Sequence, residues 1–359
     1  MVADNNLDYY AGVNLKKLEE NFPQDSNNDI YVYIDRSKHG NPSHPYLQRI
    51  YNDASTGTVA STILSVYKEN NSCSSSVLRD VIHEVIKYCK ENHSELRNVV
   101  LWSHGSGWLP EDIQYDATTR SFGLDNSDEK SNETTNEMDI LELSEVFNGH
   151  HFELLLMDAC FMGSIEFAYE LRKSFDTLIL SPSEVLATSF PYDSIAGDLV
   201  SEKIIPENIA RKFYNHYCQQ KNALRSATVT VVRTKYLNEL INCMPKIYQS
   251  FHDKLSISGL SPIYIVPQYD RSGSNIFFDF RKFIEFSMDG QTDETLNEIW
   301  DKAIPLYLHT DEIFASLDIT DTSGLSIYIP NDYDKRKQLH EYYKKLSWTK
   351  DSNATVLLN

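Results

Sequence analysis

The chain is short of positive charge. Its 33 Lys and Arg stand against 52 Asp and Glu, a formal net charge of −19. Nucleic acid is excluded as a partner on that ground, because phosphate backbones need clustered cations. An acidic surface instead draws basic substrates, weakly through salt. Also missing is any run of about 18 apolar residues, so no membrane-spanning helix is expected. No signal peptide is visible either. Met1-Val2-Ala3-Asp4-Asn5-Asn6-Leu7 reads as the end of a strand entering a loop, with the strand proper missing upstream. The compartment is therefore not legible from this terminus.

Cysteine pairs are absent as well. The five cysteines, Cys73, Cys89, Cys160, Cys218 and Cys243, form no CxxC and join no Cys/His run with zinc spacing. This argues against a disulfide framework and leaves room for one free reactive thiol. No EF-hand spacing appears, so no required metal is expected. There is no GxSxG elbow, phosphate loop or dinucleotide fingerprint, and no internal repeat.

What is present is ample core. The 359 residues are 41% hydrophobic, enough for one large α/β unit or about two domains. The spacing of apolar residues predicts helices over 8–22, 74–92, 204–220 and 236–251, the last with a kink or break at Pro245. A further helix starts at Met138 and runs to about Phe147, and the tail carries another over 333–346. Strands are expected over 29–35, 46–51, 98–102, 176–181 and 227–233. Segments 277–286, 296–307 and 325–330 read as a strand, a helix and a strand. The alternation points to α/β with a mainly parallel sheet.

Two junctions organise the chain. Leu154-Leu155-Leu156-Met157 suits a strand buried on both faces. It runs through Asp158 and Ala159 to Cys160, and Ile165, Phe167, Ala168 and Leu171 follow at helical spacing. Cys160 thus stands where a strand hands over to a helix, a place that lowers a thiol's pKa. Asn98-Val99-Val100-Leu101-Trp102 is a second buried strand, ending in Ser103-His104-Gly105-Ser106-Gly107-Trp108. If both strands share one parallel sheet, His104 and Cys160 leave the same edge, where open sheets place their ligands. A thiol and an imidazole in reach of each other form a nucleophile and its base. Alone, Cys160 reads first as an inert buried thiol and His104 as a loop residue satisfied locally; the matched pair is more specific. His150, His151 and His216 lack this context.

These boxes, Ser103 to Trp108 and Met157-Asp158-Ala159-Cys160-Phe161-Met162, resemble the two signatures of the clostripain-like cysteine peptidases, of the caspase, gingipain and legumain clan. The likeness extends to Arg120–Asp125, Met138–Ile140, Ser181–Glu184 and Phe190–Asp193, strongly over 98–193 and weakly elsewhere. It implies a caspase-like αβα sandwich, with a mainly parallel central sheet and a C-terminal subdomain. Residues 1–225 would form the catalytic domain, with an activation loop at about 109–137, and 226–359 would continue the sheet and add a helical subdomain.

The resemblance also implies roles. Cys160 is the nucleophile, His104 activates it and protonates the leaving amine, and the N–H groups of Gly105 and Cys160 form the oxyanion hole. Asp158 selects Arg or Lys before the scissile bond. The residue's own chemistry leaves a second option, an N-cap on the cysteine helix. Glu184 and Asp193 are candidate pocket linings and Tyr192 a candidate wall. The family's zymogen cut between His and Cys falls on Arg120 or Lys130, with Arg120 preferred. Some relatives use calcium, family habit favours export from a bacterium, and a monomer is expected. The partners are proteins or peptides bearing Arg or Lys. Two other readings compete: a silent member of the fold that binds basic peptides, and an unrelated α/β hydrolase or transferase.

Overall fold

The computed structural model describes the chain except residues 37–43, 54, 56, 69–70, 111–121, 126–136, 259–260, 272, 274, 292, 331–336 and 359. The first half carries β1 (Val2–Ala3), α1 (Asp8–Glu20), β2 (Ile30–Arg36), β3 (Tyr46–Asp53), β4 (Thr58–Val66), α2 (Ser75–Glu91), β5 (Asn98–Trp102), α3 (Ile140–Phe147), β6 (Phe152–Asp158), α4 (Ile165–Leu171) and β7 (Phe175–Leu180). Next come α5 (Tyr192–Leu199), α6 (Pro206–Cys218), β8 (Thr228–Arg233), α7 (Leu237–Ser258), β9 (Phe278–Asp279), α8 (Phe280–Ser287) and α9 (Glu294–Ala303). The end holds β10 (Leu306–His309), β11 (Glu312–Ile313), β12 (Leu317–Asp318), β13 (Ser326–Ile327), α10 (Lys337–Tyr343) and α11 (Ser347–Ser352).

The central strands β5, β6 and β7 are parallel neighbours; β8 pairs antiparallel to β7, and β10 pairs antiparallel to β8 and so runs with the central strands. Parallel strands need a crossover between them, and α3 and α4 supply it. A second sheet runs β1-β2-β3-β4, with β1 parallel to β2 and the rest antiparallel. The sheets meet where the Ser103 hydroxyl donates to the Val2 carbonyl at 2.7 Å.

The apolar run of β6 explains the layering. Successive strand residues point to opposite faces. Leu154 and Leu156 enter a core with Leu18, Ile195 and Phe213, from α1, α5 and α6. Leu155 and Met157 enter another with Leu143, Phe167 and Met244, from α3, α4 and α7. All four strand residues are buried, each contributing roughly 1.5–3 kcal/mol of transfer free energy. The sheet is therefore the filling of an αβα sandwich.

Three expectations need correction. Helix α7 runs through Pro245, so the break, one of the two expected outcomes, does not occur. Proline removes one N–H bond there, but Leu240, Met244, Ile247, Tyr248 and Phe251 stay buried on the same face, and that packing outweighs the lost bond. Segment 277–286 is a two-residue strand followed by a helix. Asp279 accepts the Lys282 N–H at 2.9 Å as an N-cap, and Phe280, Phe283, Ile284 and Ser287 form a buried helical stripe. Strand β4 was not anticipated. It is half exposed along much of its length, so it lacks the apolar alternation that marks a strand.

One buried carboxyl in α4 makes stability depend on pH. Glu166 is wholly buried, and its Oε1 accepts the Tyr328 N–H at 2.8 Å and the Tyr343 hydroxyl at 3.2 Å. Its Oε2 has no hydrogen-bond partner among the described residues. Burial raises its pKa from 4.5 to about 7. Between those values the unfolded chain has lost the proton and the folded chain keeps it, so this contribution falls as pH rises. The loss is about 3 kcal/mol. Glu166→Gln is expected to match wild type near pH 4.5 and exceed it in denaturant midpoint above pH 7. Parallel stability curves for the two proteins from pH 4.5 to 8 would contradict this.

Candidate active site

Register places the two junctions side by side. Trp102 pairs with Asp158 across parallel β5 and β6, so His104 and Cys160, each two residues further, leave the same sheet edge as neighbours. Contact between their loops is close. A Cβ on Gly105 would stand 2.8 Å from the Cys160 carbonyl oxygen and 2.9 Å from the Ala159 Cβ. One on Gly107, whose φ is +72°, would meet the Phe161 carbonyl oxygen at 2.8 Å. Only glycine lets the histidine loop lie flat on the cysteine turn. The Gly123 N–H donates to the His104 carbonyl at 3.0 Å, so the apolar island at 122–124 pins that loop from its far side.

Cys160 does not stand at a helix N-terminus, and this corrects the sequence expectation. Helix α4 begins at Ile165, capped by the Ser164 hydroxyl, which accepts the Phe167 N–H at 3.1 Å. Asp158 is therefore not that cap. The intervening residues turn sharply: Phe161 takes a left-handed φ of 59°, a conformation that costs energy outside glycine. It is held by a stack on Phe277, with ring centroids 4.7 Å apart, and by donation of its N–H to the Ser183 carbonyl at 2.9 Å.

Cys160 is half-buried. Its Sγ accepts the Val185 N–H at 3.2 Å and lies 3.5 Å from the Val185 carbonyl. Desolvation pushes its pKa up to about 11; the Val185 N–H opposes the shift, and Glu184 and Asp158 add to it through their charge. Burial alone lowers the His104 pKa below its ordinary 6.5. Both shifts favour the uncharged forms, a thiol and a neutral imidazole. That is the combination for general-base activation, not a standing ion pair.

Asp158 is 3% exposed. Its Oδ2 accepts the Ser189 hydroxyl, the Tyr192 hydroxyl at 2.9 Å and the Phe190 N–H at 3.3 Å. Burial raises its pKa to about 6 against the pull of these three donors. In this arrangement the expected specificity acid braces the 189–192 turn, and Tyr192 lies beneath the site as its partner. Glu184 faces Arg271, whose Nε donates to Oε1 at 2.9 Å and Oε2 at 2.8 Å. Asp193 is exposed in the first turn of α5, where it accepts the Ser194 N–H at 3.1 Å. Arg120 and Lys130 lie outside the described residues. Among the described residues no three of His, Cys, Asp and Glu gather into a metal site, and no helix is long and apolar enough to cross a membrane.

Sequence reasoning missed Asn6. Its Oδ1 lies 2.6 Å from His104 Nε2, across 98 residues of chain. The available signal was a third junction of the same kind, since Asn6 follows the strand end at the amino terminus. Arg271 and Phe277 carried no such signal, because they reach the site from irregular chain near the ends of short elements.

Known proteins resemble this chain in sequence and fold. The model of the clostripain family, Peptidase_C11, matches residues 1–359. Clostripain of Hathewaya histolytica is 30% identical over 125 residues, which are 32% of this chain and 23% of that protein. The chain thus matches about a quarter of the length of this curated relative. An inactive zymogen C11 protease from Parabacteroides distasonis is 26% identical with a TM-score of 0.75, covering 98% of this chain and 99% of that one. A secreted C11 cysteine protease from Bacteroides thetaiotaomicron, solved with an irreversible peptide inhibitor, has a TM-score of 0.78 at 22% identity, over 98% and 97% of the two chains, a likeness of fold. With the model matched from end to end, the chain belongs to the clostripain family of cysteine proteases.

Proposed function

We propose that the chain is a cysteine endopeptidase that cuts after Arg or Lys, using Cys160 and His104. The observation that carries this reading is the glycine-tight contact between the His104 loop and the Cys160 turn. In the reaction His104 takes the Cys160 proton as sulfur attacks the peptide carbonyl carbon, and returns it to the leaving amine. Water then splits the thioester. The N–H groups of Gly105 and Cys160 are the donors assigned to the oxyanion, where charge grows in the transition state. The preference for a cation is supported by two carboxylates, Asp158 and Glu184, whose charge acts on the thiol. A guanidinium reaching Glu184 would have to replace Arg271.

Activation by self-cutting after Arg120 or Lys130, export from the cell and a monomeric state complete the reading. No metal is required by it. A panel of fluorogenic peptides with Arg, Lys, Ala, Asp or Phe before the reporter, with and without calcium, tests it. Turnover is expected for Arg and Lys alone, at equal rates in both conditions. Binding of basic peptides without turnover would leave the silent-fold reading instead.

A further inference from the structure

Asn6 is an exposed side chain at the β1–α1 turn, and its one hydrogen bond among the described residues is with His104 Nε2, at 2.6 Å. The turn that presents it is fixed at several points. The Asn5 Oδ1 accepts the Leu7 N–H at 2.7 Å, and the Asn5 Nδ2 donates to the Leu124 carbonyl at 2.6 Å. Val2 is tied to Ser103, one residue before the histidine, at 2.7 Å. Beyond the turn, Asp8 pairs with Arg36 at 2.9 Å. The same short segment therefore grips the His104 loop through its backbone and touches the imidazole with a side chain.

An amide oxygen only accepts hydrogen bonds. His104 Nε2 must then carry the hydrogen, and its lone pair sits on Nδ1. We infer that Asn6 is a positioning residue, which holds His104 in the Nε2–H tautomer so that Nδ1 is the nitrogen that takes the Cys160 proton. The step balances within the site. The S–H bond breaks as an Nδ1–H bond forms, sulfur bonds to the carbonyl carbon, and the C–N bond breaks as the Nδ1 proton passes to the leaving nitrogen. Asn6 keeps its acceptor on Nε2–H throughout and meets the positive charge of the transient imidazolium with a dipole. The inference deepens the peptidase reading and rests on it for its kinetic part alone.

The test compares wild type, Asn6→Ala and Asn6→Asp by imidazole nitrogen NMR, by the pH profile of kcat/KM and by melting temperature. Wild type is expected to show His104 as the Nε2–H tautomer. Asn6→Ala is expected to mix the tautomers and lower kcat by about 100-fold, with its melting temperature within a few degrees of wild type. Asn6→Asp restores an acceptor and adds a negative charge that favours imidazolium. It is expected to recover kcat to within about tenfold of wild type, and its acidic limb should move up by about one pH unit. An unchanged tautomer and an undiminished kcat in Asn6→Ala would overturn the inference. So would equal losses in both variants with no movement of the limb. If wild type cuts no Arg or Lys peptide, the NMR arm still decides. A tautomer change in Asn6→Ala then upholds the positioning role while the peptidase reading falls alone.

Discussion

Cys160→Ala is expected to lower kcat/KM for an arginyl peptide by about 10⁴-fold or more. Without sulfur there is no atom to form the thioester, and what remains is the binding and polarisation supplied by the backbone. The loss is not a folding defect. Cys160 is partly exposed, and its Sγ contributes one weak acceptor to the Val185 N–H, worth on the order of 1 kcal/mol. The variant should therefore melt close to wild type and still bind the substrate peptide. Other thiols do not replace it, since Cys73 and Cys89 are buried and Cys218 and Cys243 stand on α6 and α7. A variant retaining a tenth of wild-type turnover would remove Cys160 from the role of nucleophile.

Gly163→Ala is expected to damage both stability and activity. A Cβ there would stand 2.4 Å from the Pro182 nitrogen and 2.7 Å from the Ser181 carbonyl carbon. Those are backbone atoms at the end of β7, and they cannot swing aside as a side chain can. Gly163 also donates to the Ser181 carbonyl at 2.7 Å and accepts the Ser326 N–H at 2.9 Å. Its carbonyl joins the C-terminal part to the cysteine turn. Overpacking against backbone costs about 3 kcal/mol or more, a fall in melting temperature of about 6 °C or more. The strained Phe161 lies two residues upstream, so thiol placement should loosen as well, and kcat should fall by about 100-fold. A melting curve that overlays wild type would show that the β7 end yields more readily than its contacts suggest.

How far the sequence foretold this follows from where its signals lie. Strands β5, β6, β7 and β8 are short segments dominated by apolar and β-branched residues, and each stands where its pattern placed it. The junctions of His104 and Cys160 were legible for the same reason, since a strand end followed by glycine is a local feature. What escaped was set by long-range packing. The start of α4 was displaced because residues 161–164 are spent turning against Ser181 to Ser183 and Phe277. Asp158 faces inward because the 189–192 turn supplies it with three donors, and no spacing encodes that pairing. The sides of Glu184 and Asn6 are fixed by partners 87 and 98 residues away in sequence, beyond any periodicity.

The cysteine turn is built largely from chain that is synthesised much later. Phe277 stacks on Phe161, Ser326 bonds Gly163 across 163 residues, and Tyr328 bonds Glu166 across 162. Contacts of such separation form slowly, because a long loop must close before they contribute. On a ribosome the strands carrying His104 and Cys160 emerge while these supports are still untranslated. The nucleophile's surroundings are completed only after residue 328 has left the exit tunnel. A nascent chain thus carries both His104 and Cys160 for nearly half of its synthesis without a finished turn to hold the thiol. On the proposed peptidase reading, the order of translation itself delays activity until the chain is nearly complete.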